Sequence, residues 1–141
     1  MVAKLTGGCA CGAVLYECNP ETPLFADHCY CRDCQRASGT AMSSLLFVAK
    51  DAFKLIKGEV RYFEVVGGSG GKVSRGFCAN CGSPLCGTAA NMPGAIGIAV
   101  GSLDDPNQYQ HGVSVFLDSA PAWAPIDNTL PGFPKLPPMP G

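Results

Sequence analysis

The sequence predicts a mainly β domain in which tight turns join the strands and helix is limited to short turns. Its 141 residues include 18 glycines and 12 prolines, a content that favours turns over long helices. The apolar segments between those turns are short, and several alternate between apolar and polar residues, as strands with one buried face do. A chain of this length forms one domain, so we expect residues 1–141 to fold as a single unit.

Strands are expected wherever an alternating or apolar segment lies between turn residues. They cover residues 13–18, 24–28, 43–49, 53–56, 60–66, 72–77, 95–100 and 113–117. Residues 31–37 have the polarity of one short helical turn, which Ser38 and Gly39 end. The run 67–71, four glycines and a serine, predicts a flexible hairpin tip, and the turn residues at 19–23 separate the first two strands.

The final segment, residues 121–141, differs in composition from the rest of the chain. It holds seven of the twelve prolines, and proline fixes φ and lacks an N–H donor, so this segment cannot join the interior of a sheet. Trp123, Ile126, Leu130 and Phe133 are spaced along it. We therefore expect a proline-rich tail packed on the domain, with Trp123 as a core anchor and the last few residues loose.

Charge and hydropathy argue against two classes of partner. The net charge is −1 and only 15% of the residues are charged, which gives no electrostatic footprint for DNA or RNA. No apolar run approaches the roughly 18 residues of a membrane-spanning helix. The first eight residues also lack the apolar core of a secretory signal. We therefore expect a cytoplasmic protein without a nucleic-acid or membrane partner.

Seven of the nine cysteines lie in three tight groups, which span residues 9–11, 29–34 and 78–81. Thiolates two or three positions apart can bind one ion from a single turn of chain, and zinc takes four such ligands in a tetrahedron. The groups supply two, three and two sulfurs, which predicts one closed four-sulfur site and one three-sulfur site with a free position. A closed site stabilises a fold, whereas a site with a free position can do chemistry.

A disulfide framework is the alternative interpretation of the same cysteines. An odd number of cysteines leaves one thiol unpaired, and cysteine makes up only about 6% of the chain, below the density of small secreted scaffolds. Cysteines so close in sequence also close loops that are too short for stabilising disulfides. Metal binding is therefore favoured, and reduced cysteines again indicate the cytoplasm.

We prefer to divide these seven cysteines into two sets. The alternative joins the set at 29–34 to one other cysteine, but it can leave a pair of sulfurs without a site. The two distant pairs form the best four-ligand set, because an ion that joins them closes a long loop, where a clip stabilises most. We name this set the four-cysteine cluster: Cys9, Cys11, Cys78 and Cys81. The remaining set, the three-cysteine cluster, would leave a position for water or an incoming thiolate. Its members are Cys29, Cys31 and Cys34.

Three residues could fill that free position and make the three-cysteine cluster inert: Cys18, Cys86 or His28. His28 adjoins Cys29, and neighbouring side chains in an extended chain point to opposite faces. The two cysteines lie in strand patterns, where a thiol is more often a small buried apolar group.

An anionic thiol substrate would need one or two cations near the cluster. The candidates are Arg32, Arg36, Lys72 and Arg75. Each alone is equally well explained as a solvated surface charge.

The order of motifs along nearly the whole chain resembles one known family. The motifs are Gly8-Cys9-x-Cys11-Gly12, His28-Cys29-x-Cys31-x-x-Cys34-Gln35-Arg36 and Arg75-Gly76-Phe77-Cys78-x-x-Cys81-Gly82, followed by Gly101-Ser102-Leu103-Asp104-Asp105-Pro106, His111, Ser119-Ala120-Pro121-Ala122-Trp123 and Leu130-Pro131-x-Phe133. This order is similar to that of the glutathione-dependent formaldehyde-activating enzyme family, which also includes centromere protein V.

The resemblance implies a β-tent fold related to the zinc ribbon, with two zinc ions per chain. By position, the four-cysteine cluster matches the family's structural zinc site. Cys29, Cys31 and Cys34 match its second, active-site zinc, which makes them the expected catalytic residues. The implied activity is that of a carbon–sulfur lyase that joins glutathione, or another small thiol, to formaldehyde and gives S-hydroxymethylglutathione. A zinc-stabilised binding module without catalysis, and a lyase acting on a different thiol–aldehyde adduct, stay open as alternatives.

Overall fold

The computed structural model describes residues 4–19, 23–68 and 70–137, and it is mainly β, as the sequence predicts. The strands in these ranges are β1 Leu5–Gly8, β2 Leu15–Cys18, β3 Phe25–Cys29, β4 Ser43–Ala49, β5 Phe53–Lys57, β6 Val60–Val66, β7 Lys72–Cys78, β8 Pro84–Ala89, β9 Ala95–Ala99 and β10 Val113–Val115. The α-helix α1 (Arg32–Ser38) follows β3. Short 3₁₀ turns lie at Lys50–Ala52, Val100–Ser102, Pro106–Gln108 and Leu117–Ser119. None of the helices described is long and apolar enough to cross a membrane.

The strands form two sheets. The small sheet has the order β1-β2-β5, and the large sheet has the order β10-β3-β4-β9-β8-β7-β6. Neighbouring strands are antiparallel except for β10, which lies parallel to β3 with Val115 opposite Cys29. This parallel pair places the C-terminal part of the chain beside the end of β3, where the three-cysteine cluster begins.

Strand alternation gives the large sheet two different faces. On β4, Leu46 and Val48 lie in the main core, whereas Phe47 between them lines a cavity on the other side. The small sheet contributes Leu5 and Tyr16 to the same core. The core therefore lies on one face of the large sheet, and the other face is left to surround a cavity.

Residues 131–135 of the tail lie along β10 and the residue that follows it. Ser114 forms an isolated parallel bridge with Gly132, and the Phe133 N–H donates to the Ser114 carbonyl at 2.9 Å. Phe133 and Leu136 pack against the buried cluster that contains the side chains of β10. The tail thus contacts the region beside the three-cysteine cluster. The last few residues, expected to be loose, include 138–141, which lie outside the described residues.

Two sequence-based expectations about this end of the chain are wrong. Trp123 is not a core anchor, because 70% of its surface is exposed. The tail is instead bonded to the fully buried Tyr30, whose hydroxyl donates to the Pro125 carbonyl at 2.8 Å. The last strand ends at Val115 rather than at residue 117, because Phe116 adopts a left-handed φ of 56° and precedes a 3₁₀ turn.

Candidate metal centres and the cavity between them

The four-cysteine cluster forms from two turns that are far apart in sequence, one between β1 and β2 and the other between β7 and β8. Its four sulfurs lie within 4.8 Å of one another, with Cys9 Sγ 3.6 Å from Cys11 Sγ and Cys11 Sγ 3.8 Å from Cys78 Sγ. Four sulfurs about 2.3 Å from a central ion are separated by about 3.8 Å in a tetrahedron. The structure therefore brings together the residues that the sequence grouped, at a spacing that fits one tetrahedral ion.

Both turns end on a glycine in the left-handed conformation. Gly12 and Gly82 follow the second cysteine of each pair, and each has a φ of 79°, a left-handed value that glycine adopts without strain. The Gly12 N–H donates to the Cys9 carbonyl at 3.2 Å, and the Gly82 N–H donates to the Cys78 carbonyl at 2.7 Å. These tight turns bring both sulfurs of a pair close to the same point.

Hydrogen-bond donors point at the sulfurs of the four-cysteine cluster. The Val14 N–H donates to Cys9 Sγ at 3.2 Å. The hydroxyl and N–H of Ser83 lower the pKa of Cys81 to about 5. Because such donors stabilise the thiolate over the thiol, they favour at Cys81 the charged form that a metal needs.

The three-cysteine cluster is built by the turn from β3 into α1. Cys29 ends β3, and Cys31 is the N-cap of α1, where its sulfur accepts the Cys34 N–H at 3.3 Å. The three sulfurs lie within 4.8 Å of one another. Cys29 and Cys34 are buried and Cys31 is partly exposed. Thiol donors in this arrangement fit a metal such as zinc, bound in a largely enclosed position.

Of the four cations considered from the sequence, Arg75 on β7 contacts the three-cysteine cluster, with Nη2 3.5 Å from Cys34 Sγ. Hydrogen bonds with Cys29 and Cys31, and then the Arg75 guanidinium, hold the pKa of Cys34 well below its usual range. The hydrogen bonds among the same three sulfurs, together with burial, raise the pKa of Cys29. The contact with Arg75 therefore stabilises a negative charge on Cys34.

The other three cations lie elsewhere. Arg32 and Arg36 line a groove with the exposed Trp123, and the cavity does not include them. Lys72 is exposed at the start of β7. Of the four candidate cations for an anionic substrate, the structure thus favours Arg75.

None of the three residues considered as a fourth ligand belongs to the three-cysteine cluster in the described part of the chain. His28 stacks on His111, with the ring centroids 3.6 Å apart. Cys18 is fully buried in the main core, where burial raises its pKa to about 11. The Cys86 thiol lies 3.8 Å from the Tyr62 hydroxyl. A fourth coordination position at this cluster would therefore be filled from the cavity.

A cavity of about 850 Å³ lies on the face of the large sheet that is turned away from the core. It extends from Cys9 to the three-cysteine cluster, and Phe25 and Phe47 contribute to its mostly apolar wall. Asp27 and Arg75 place charged side chains in the same wall. Small-molecule sites have volumes of roughly 300–1,000 Å³, so this cavity is large enough for a ligand the size of a tripeptide.

Asp27 is a site residue that the sequence analysis missed. It lies two positions before Cys29 on β3, so the two side chains share a face of the sheet. Only 4% of its surface is exposed, and its Oδ1 has no hydrogen-bond partner among the described residues. Burial, and then the charge of Cys34, raise the pKa of this carboxyl to about 8. The available signal was an acidic residue on the Cys29 face of a segment predicted to be a strand.

Comparisons with known proteins agree with this architecture. A crystal structure of a Rhodobacter sphaeroides protein has a similar fold, with a TM-score of 0.58 over 70% of this chain and 87% of that chain, at 22% sequence identity. The family model described as glutathione-dependent formaldehyde-activating enzyme matches residues 4–119, a range that contains both cysteine clusters, Asp27 and Arg75. The chain therefore belongs to the glutathione-dependent formaldehyde-activating enzyme family.

Proposed function

We propose that this protein is a zinc-dependent carbon–sulfur lyase that joins formaldehyde to the thiol of glutathione and gives S-hydroxymethylglutathione. Its family is named for glutathione-dependent formaldehyde activation. The observation that carries the proposal is the three-cysteine cluster. It combines three close sulfurs, no fourth protein ligand in the described part of the chain, and a ligand-sized cavity in front of them.

We propose zinc as the metal of both clusters, because every donor in them is a thiol and soft sulfur ligands select zinc over magnesium or calcium. The four-cysteine cluster would hold a structural ion, since four ligands complete its coordination. The three-cysteine cluster would hold the second ion. The chemistry that zinc supplies there when bound is a lowered pKa of a thiol at the remaining coordination position.

Arg75 and the apolar part of the cavity wall would bind and orient the two substrates. Glutathione carries two carboxylates, and Arg75 is a cation in the cavity wall, beside the cluster. Arg36 does not line the cavity, so Arg75 is the better candidate for a substrate carboxylate. The apolar part of the wall, with Phe25 and Phe47, would limit the water around the reacting carbonyl group.

The reaction balances without a redox cofactor. The thiol sulfur gives up its proton, and its electron pair forms the bond to the formaldehyde carbon. The π electrons of the carbonyl group move to the oxygen, which takes up one proton. One proton therefore leaves sulfur and one is gained by oxygen, and the lyase direction is the reverse of these steps.

The test is the exchange between formaldehyde and glutathione measured by NMR, with the fast uncatalysed addition as the background. The wild-type protein should accelerate this exchange, and Cys31→Ser, shown to be folded, should not. Cys86→Ala is the matched control, because it removes a buried thiol that lines the cavity and belongs to neither cluster.

Equal exchange rates with and without wild-type protein would reject this activity. A panel of other thiols and aldehydes would then separate a lyase for a different adduct from a zinc-stabilised binding module without catalysis.

A further inference from the structure

Asp27 presents an unsatisfied hydrogen-bond acceptor in the cavity beside the three-cysteine cluster. The side chain is almost completely buried and lines the cavity, yet its Oδ1 has no partner among the described residues. A buried polar atom left unpaired costs about 1–3 kcal/mol, so such an atom in a native fold needs an explanation.

Among the described residues, the strands beside Asp27 supply no donor to its Oδ1. The residues directly opposite it are Leu45 on β4 and Val113 on β10, and both are apolar. A valine or leucine at position 27 would continue this apolar row and pack against both neighbours. Packing therefore does not account for the carboxyl group, and the missing donor must come from the cavity.

The position of the carboxyl group indicates which donor this is. Asp27 and Cys29 lie on the same face of β3, two residues apart, and both line the cavity together with Cys34. The guanidinium of Arg75 is placed on Cys34. A hydroxyl group or a water molecule in the cavity, in front of the sulfurs, would supply the donor that Asp27 Oδ1 lacks among the described residues.

We propose that Asp27 is a positioning residue that accepts a hydrogen bond from the oxygen held in front of the three-cysteine cluster. In the resting protein this oxygen belongs to water. During turnover it is the hydroxyl of the hydroxymethyl thioether, a part of the inference that rests on the proposed function. The acceptor holds this hydroxyl in place while the carbon–sulfur bond forms or breaks, and no net proton is gained or lost.

The test uses the 141-residue chain loaded with zinc, or with cobalt for spectroscopy, and the variants Asp27→Val and Asp27→Asn. Partners of this kind around a metal site contribute about 10- to 100-fold to metal affinity. We expect Asp27→Val to weaken zinc binding at the three-cysteine cluster about 10-fold in chelator competition and to leave the four-cysteine cluster unchanged. The cobalt absorption bands of the three-cysteine cluster should shift, the melting temperature should stay the same or rise, and exchange should slow by about 10-fold. Asp27→Asn, which keeps the shape, should give smaller effects in the same directions.

Asp104→Asn is the matched control, because this carboxylate also lines the cavity but is exposed and accepts the Thr6 hydroxyl at 2.7 Å. It should leave every readout unchanged. Unchanged metal affinity and cobalt bands in Asp27→Val, with a lower melting temperature, would show a structural role and overturn the inference. Should Asp27→Val fail to fold, the same comparison is made on Asp27→Asn.

The inference and the proposed function fail separately. If wild-type protein accelerates exchange and Asp27→Val does so equally with unchanged metal binding, the inference about Asp27 is wrong and the proposed function stands. If wild-type protein does not accelerate exchange but Asp27→Val weakens the metal and shifts the cobalt bands, the proposed function is wrong. The hydrogen bond from Asp27 to the bound oxygen then stands.

Discussion

Replacing Cys78 by serine should remove a large share of the stability of this protein, and replacing Cys31 should remove much less. An ion that joins Cys11 to Cys78 connects residues 67 positions apart. The loop-entropy relation for cross-links, applied to such a metal clip, gives about 4 kcal/mol for this loop and about 2 kcal/mol for the short loop from Cys29 to Cys34. Since domains have a total stability of roughly 5–15 kcal/mol, the first loss approaches the whole of it.

The assay is urea denaturation followed by circular dichroism, with zinc content measured per chain. Wild-type protein should contain two zinc ions. Cys78→Ser should be insoluble, or lose one ion and about 4 kcal/mol of unfolding free energy, a fall in melting temperature of about 10 °C or more. Cys86→Ser is the matched control, because Cys86 is a buried thiol outside both clusters. Wild-type melting and full zinc content in Cys78→Ser would refute the reasoning.

Three further predictions concern the second ion, the substrate cation and the histidine pair. Mild chelation or excess glutathione should remove about one zinc per chain, from the three-cysteine cluster, while circular dichroism shows that the fold persists; joint loss of both ions with unfolding would contradict this. Arg75→Met should weaken glutathione binding about 10-fold in calorimetry, and Arg36→Met should not; equal affinities in both variants would exclude Arg75 from binding. Burial, and then the charge of His111, lower the pKa of His28 to about 4, so the stability linked to His28 is complete above pH 6.5 and falls as the pH drops towards 4. The urea midpoint should therefore fall between pH 7 and pH 5, and this fall should be smaller for His111→Gln than for wild-type protein. An equal fall in both proteins would show that His111 does not contribute to the lowered pKa of His28.

The cysteine clusters could be predicted from the sequence because ligand spacing within a turn is a local property. Cys31 and Cys34 are three positions apart, and the helix cap that joins them lies within the same few residues. The assignment of the two distant pairs to one cluster also succeeded, because counting ligands allowed few alternatives. Local geometry and ligand number were therefore sufficient for this part of the site.

Asp27 and Arg75 could not be placed in the same way, because their positions depend on strand order. Arg75 reaches Cys34 from a strand that is several strands away in the large sheet from β3. Asp27 acquires its environment from neighbours on β4 and β10. No pattern within a single segment contains that information. From the sequence it was therefore not possible to choose among the four candidate cations, and Asp27 was not identified.

The first strand was missed because its own residues do not favour extended structure. β1 consists of Leu5-Thr-Gly-Gly, and glycine has low strand propensity. Pairing determines the strand here, since Gly7 lies opposite Tyr16 and a Cβ on Gly7 would collide with the Tyr16 hydroxyl. Trp123 is the opposite case, because a large apolar ring predicts burial but the path of the proline-rich tail leaves it exposed.

Strand β7 physically connects the two clusters. Cys78 at its end belongs to the four-cysteine cluster, and Arg75 three positions earlier contacts Cys34. Gly76 between them packs tightly, since a Cβ there would lie 2.7 Å from Val60 Cγ1 and 2.9 Å from Cys86 Sγ. The four-cysteine cluster and this packing together fix where the guanidinium is presented.

Gly76→Ala should therefore lower the free energy of unfolding and also change the position of Arg75 beside the three-cysteine cluster. Forcing a methyl group into this contact should cost about 1–3 kcal/mol in thermal unfolding. The displacement of β7 should also weaken the contact between Arg75 and Cys34 and slow the exchange between formaldehyde and glutathione. Gly94→Ala is the control, because a Cβ there meets nothing within 4 Å. If Gly76→Ala loses stability but keeps full exchange activity, then β7 does not transmit the position of the first cluster to the second. The position of the Arg75 side chain would then be determined by its local contacts alone.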